Sequence, residues 1–152
     1  MNQLGSFGAQ KRFSLLGLAG FLLLFPGETL AVELLVTGAT PEQEQLIGCI
    51  VESAGEELQK MAASEAPLML IVLNREKFLK ARRLFRAYKT ENAFSSLSAR
   101  RIYLSARVFA NFEKVLKYVA HELGHFETNS LFERNAELKA SSIRRKARRA
   151  CR

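Results

Sequence analysis

Apolar and polar positions alternate along the chain with two different periods, and the switches between them outline the elements. Val32 to Val36 is short, partly β-branched and bounded by Thr37-Gly38, which predicts a strand. Thr40-Pro41-Glu42 then opens a helix with a hydroxyl cap, a proline at the first helical position and acids in the first turn. Leu46, Ile47, Ile50, Val51, Ala54, Leu58 and Met61 keep a helical rhythm to about Ala63. Pro67 to Leu73 is a continuous apolar run of strand length and predicts a buried strand. Between Arg75 and Tyr88, Phe78, Ala81, Leu84 and Phe85 recur at helical spacing among basic residues, which assigns the aromatics to packing. Residues 89–98 are polar and irregular, with Asn92, Ser95, Ser96 and Ser98, and read as a loop. Arg101 to Ser105 predicts a short strand and Arg107 to Phe126 a strong helix. After a turn at Thr128-Asn129-Ser130, a last helix starts at Leu131 or Phe132 and fades into a basic tail. The fold class is α+β, a small sheet with three or four helices.

The first residues follow neither rhythm. Lys11 and Arg12 precede an apolar run, Phe13 to Phe25, which Pro26-Gly27 breaks, and small residues stand at the minus-three and minus-one positions before a cut after Ala31. That order reads as a secretory signal peptide. The run is shorter than the roughly 20 residues a spanning helix needs. The expectation is an exported protein, periplasmic or secreted, cut near Ala31. It divides into residues 1–31 as signal peptide, 32–140 as the folded domain and 141–152 as a basic tail. In that compartment a disulfide is permitted. Pairing of Cys49 with Cys151 and two unpaired thiols both stay open.

Composition removes several chemistries. All 15 acidic residues of the 152 are Glu, so Asp dyads, EF-hand loops and a Ser-His-Asp triad are excluded. Two His and two Cys exclude sites built on three imidazoles or four thiolates. The net charge of +8 resides in the tail, because residues 32–138 balance while 139–152 carry seven basic residues and no acid. Such a run is usually a solvated helix end; a weak contact with an anionic surface is the functional alternative. Nucleic acid is not an expected partner, and the chain is expected to be a monomer.

The two histidines stand in one motif, His121-Glu122-Leu123-Gly124-His125. Imidazoles four residues apart lie on one helix face and can share a metal ion, and the intervening Glu can reach a water there without ligating the metal. Phe109, Phe112, Leu116, Val119, Ala120 and Leu123 fall on one arc of this helix, with the imidazoles on the far side beside Lys114 and Tyr118, facing a cleft. Gly124 costs about 1 kcal/mol of helix propensity relative to Ala. Close approach of another backbone would account for it.

On this motif the sequence resembles the zincin metallopeptidases, in particular the gluzincin branch. Residues 133–140, Glu133-Arg134-Asn135-Ala136-Glu137-Leu138-Lys139-Ala140, look like the ExxA(D/N)xxA pattern of the prenyl-protein and ImmA/IrrE-like peptidases, with Glu137 where the family has Asp or Asn. The resemblance covers roughly residues 99–140 and implies a minimal zincin-like domain that binds Zn2+ through His121, His125 and a downstream Glu. The pattern assigns Glu133; Glu137, one turn later on the same face, stays open as the third ligand. It further implies that Glu122 is the general base of peptide-bond hydrolysis, that a peptide or protein is the substrate, and that Arg101 to Ser105 is the sheet edge pairing with it. Tyr88, Tyr103 and Tyr118 are the candidates for stabilising the oxyanion. The alternative is a catalytically inactive zincin-like metal-binding or interaction protein with a polyanion-binding tail.

Overall fold

The computed structural model describes residues 34–54, Leu58, 67–87 and 90–151. Residues 1–31, expected to be a signal peptide, most of the helical stretch expected at 55–63, and Tyr88 lie outside the described residues. The fold is α+β. Strands β1 (Leu34–Thr37), β2 (Leu68–Leu73), β3 (Ala93–Ser96) and β4 (Arg101–Ser105) form one sheet in the order β1-β2-β4-β3. Helices α1 (Pro41–Glu52), α2 (Arg75–Leu84), α3 (Phe112–Thr128) and α4 (Glu133–Ala150) cover it, with a 3₁₀ turn at Ala106–Ala110.

The two faces of the sheet follow from side-chain alternation. Leu68, Leu70 and Val72 of β2, with Ile102 and Leu104 of β4, point into the main core, which Ile47 and Ile50 of α1 and Leu116, Val119 and Leu123 of α3 complete. Tyr103 points the other way. It stacks on Phe94 at 4.7 Å between ring centroids, and both pack with Phe78 of α2.

The residues read as a loop at 89–98 contain a strand. Ala93–Ser96 pairs antiparallel with β4, with Phe94 opposite Tyr103 and Ser95 opposite Ile102. Arg100, at φ 50°, closes the turn between them. Serines disfavour a strand assignment on composition, but here they occupy a half-buried edge. Contrary to expectation, Arg101 to Ser105 is not an edge: β4 is parallel to β2 on one side and antiparallel to β3 on the other, so both rows of its backbone hydrogen bonds are used. The edge on that side is β3.

Helix boundaries are set by caps. The helix expected from Arg107 begins at Phe112, because Asn111 is extended (φ −160°) and its side chain accepts from the Lys114 N–H at 2.9 Å. The helix ends at Asn129, which adopts the left-handed conformation (φ 44°) that asparagine tolerates. The chain reverses there, and α4 starts four residues on. That helix does not fade at the basic run. It continues to Ala150 because Ala136, Ala140, Ile143 and Ala147 form a buried stripe against the rest of the fold. Cys151 then bonds to Cys49 of α1, resolving the open question of pairing and fixing the far end of α4.

Candidate metal centre

α3 and α4 form an antiparallel hairpin, and the site lies between them at its closed end. Gly124 explains how close they come. A Cβ added to it would stand 2.3 Å from the Ala136 carbonyl oxygen, so only glycine lets the backbone of α4 lie directly on α3. This close contact is what the out-of-place glycine implied, and it holds the first turn of α4 over the imidazoles.

Glu133 opens that first turn. One oxygen of its carboxylate lies 3.0 Å from His121 Nε2 and the other 3.7 Å from His125 Nε2. The two rings are edge to face, 5.0 Å between centroids. One ligand atom each from His121, His125 and Glu133 lies within 4.8 Å of the others, so the three donors converge. Two imidazoles and a carboxylate are the set zinc takes when a fourth position is kept open, and the residues present fit such an ion. The short connection between His125 and Glu133 suffices because the left-handed turn at Asn129 reverses the chain at once.

Glu137 takes a different place. Its carboxylate meets His121 on the opposite ring nitrogen, Nδ1, at 3.2 Å, and is held in turn by the Arg144 guanidinium, which also bonds to Ser141. The Arg144 bond is the main reason the Glu137 carboxyl titrates below its ordinary range, with His121 contributing. His125 Nδ1 donates to the Ser130 carbonyl at 2.8 Å. Each imidazole is therefore gripped through Nδ1, which fixes its orientation and turns Nε2 toward Glu133.

The cleft-facing side of α3 is more enclosed than its helical wheel suggests. His121 is half-buried, but His125 and Glu122 are both only 5% exposed. α4 lies against this side at Gly124 and the imidazoles, and β3 meets Glu122 through Ser95; a wheel drawn on one helix cannot register either neighbour. Burial pushes the Glu122 carboxyl up to about 7, and the charge of Glu133 adds to the rise. A hydrogen bond from Ser95 and the proximity of His121 oppose it. Ser95 is the site residue that sequence reading missed. Its signal was the alternation in Ala93-Phe94-Ser95: once Phe94 faces α2, Ser95 faces α3.

Among the tyrosines, Tyr103 belongs to the aromatic cluster beneath α2, on the face of the sheet away from α3. Tyr118 lies one turn before His121, and its hydroxyl accepts from the Asn92 side chain at 2.9 Å. Comparison of the chain with protein-family models, with curated proteins and with solved structures returned no match.

Proposed function

We propose that the protein is a zinc-dependent peptidase of the gluzincin type. The observation that carries the reading is the convergence of His121, His125 and Glu133, with Glu122 buried in the same turn of helix as the two imidazoles. The spacing of HExxH supports it, as does the fit of the donor set to zinc. Of the two glutamates left open by the sequence, the proximity of Glu133 to both Nε2 atoms favours it as the ligand, and the hold of Glu137 on Nδ1 favours an orienting role for it.

Zn2+ bound by these three residues would supply Lewis-acid polarisation to a peptide carbonyl and to water. The remaining work falls to the chain. Glu122 accepts the proton of the attacking water on its carboxylate and returns it to the leaving amine, and its burial beside the imidazoles holds it out of bulk solvent for that exchange. Ser95 holds that carboxylate from β3. As the edge strand beside the site, β3 offers backbone donors and acceptors to an extended substrate, the part expected of residues 101–105. Tyr118 is the remaining described candidate for a hydroxyl donor to the developing oxyanion. Export is part of the proposal, supported by the Cys49–Cys151 disulfide, which persists in oxidising compartments.

The test is hydrolysis of a library of unstructured peptides by the zinc-loaded protein and by Glu122→Gln. The proposal expects cleavage by the first and a loss of at least about a hundredfold in the second, with zinc retained. Cleavage unaffected by the substitution refutes the role of Glu122. Zinc binding without cleavage of any peptide leaves the inactive metal-binding alternative in its place.

A further inference from the structure

The segment that enters α4 and the outer face of that helix carry a feature that the metal site does not use. Of the five exposed large hydrophobic side chains among the described residues, three are clustered in this part of the sequence: Leu131 at 73% exposure, Phe132 at 76% and Leu138 at 68%. Phe132 occupies the N-cap of α4 and provides no side-chain hydrogen bond there. That position favours Ser, Thr, Asn or Asp, so an exposed phenylalanine serves neither the helix nor the core.

The charges on α4 divide by face. Lys139 pairs with Glu127, Arg144 with Glu137 and Arg148 with Glu113. Among the described residues, Arg134, Arg145, Lys146 and Arg149 are exposed and form no ion pair. At 100° per residue the three arginines and Leu138 fall within about 60° of one another, on a stripe roughly 22 Å long, and Lys146 lies to one side of it. Neither acid of the helix, Glu133 or Glu137, lies on that stripe.

We propose that this stripe and the Leu131-Phe132 tip dock peripherally on a bilayer with anionic headgroups. The unpaired guanidiniums are complementary to lipid phosphates, and the apolar tip and Leu138 reach the acyl boundary beneath them. A soluble polyanion would satisfy the arginines but give nothing to the exposed apolar side chains, which is why a lipid surface fits better. The contact is peripheral, since no helix among the described residues is long and apolar enough to cross a membrane. The tip immediately precedes Glu133, so docking would set the metal centre beside the lipid surface. The inference does not depend on the metal reading and fails separately from it.

The chain contains no Trp, so Phe132→Trp in the full-length protein gives an emission signal from that position alone. With phosphatidylglycerol-containing vesicles the emission should shift to the blue and be quenched by brominated acyl chains. It should stay unshifted with pure phosphatidylcholine, and high salt should reverse it. Adding Arg134→Gln, Arg145→Gln and Arg149→Gln should weaken the partition about tenfold or more, with an unchanged melting temperature. Leu131→Trp serves as the probe should the first variant not fold. The proposal is overturned by an emission indifferent to anionic vesicles, including a case where the chain binds them through another segment. Equal binding by the arginine variant, or an equal shift with a soluble polyphosphate, also overturns it.

Discussion

Replacing Gly124 with alanine tests how the site is assembled, because two effects of known size oppose each other. Helix propensity alone favours alanine by about 1 kcal/mol. The structure opposes it: the new Cβ would lie 2.3 Å from the Ala136 oxygen, 3.0 Å from its carbonyl carbon and 3.1 Å from its Cα. All three are backbone atoms, so no side chain can rotate away, and α4 must separate from α3 by about 1 Å. Overpacking of this kind costs about 1–3 kcal/mol. The net expectation is a loss of up to about 2 kcal/mol in place of the gain that propensity alone gives, read as a melting point lower by up to about 8 °C. The same displacement carries Glu133, three residues before Ala136, away from the imidazoles. Metal-ligand distances tolerate only about 0.2 Å, so zinc affinity should fall by at least about tenfold. Thermal melts and chelator competition on Gly124→Ala measure the two quantities. A variant that is more stable than the parent and binds zinc equally well would refute the argument that this glycine sets the helix spacing.

Other substitutions separate the remaining roles. In metal-free protein, Glu122 has a folded pKa raised from 4.5 to about 7, so its burial costs nothing below pH 4.5 and stability is lost as pH rises through 7. Chemical denaturation should show Glu122→Gln gaining on the parent by a few kcal/mol at pH 8 and by little at pH 4; an equal difference at both would contradict the assignment. Glu133→Gln should abolish tight stoichiometric zinc binding, whereas Glu137→Gln should weaken it about 10–100-fold and leave the stoichiometry intact. The reverse order in a competition titration would exchange their roles. Cys49→Ser should cost about 2–5 kcal/mol in denaturant unfolding, given that the bond spans 102 residues. A change below about 1 kcal/mol would show that the bridge does not restrain the unfolded chain.

The parts of the fold legible in the sequence are those written in local pattern. The run at Leu68–Leu73, the capped start of α1 and the HExxH helix each carry a period or a cap that needs no partner to be recognised. β3 is different, since Ala-Phe-Ser-Ser becomes a strand only because β4 lies beside it. Missing β3 also misplaced the sheet edge, because an edge is a property of neighbours. At the candidate site, the shared face of His121 and His125 was legible from spacing. Glu133 and Glu137 could not be separated, because they share a helix face and differ in which ring nitrogen of His121 they meet and in the approach of Glu133 alone to His125. That distinction depends on the angle of the turn at Asn129 and on the contact at Gly124, both tertiary. The basic run at 139–152 looked like a tail by charge, but its small and apolar positions, Ala140, Ile143 and Ala147, continue the stripe begun at Ala136.

A crystal structure of the zinc-loaded protein, with anomalous data at the zinc edge, would reveal whether His121, His125 and Glu133 share one zinc ion as proposed. A single strong peak is expected between α3 and α4, bonded to Nε2 of both imidazoles and to the Glu133 carboxylate, with Glu137 still on His121 Nδ1. The absence of a peak there, or one bound by Glu137 while Glu133 points to solvent, would contradict it.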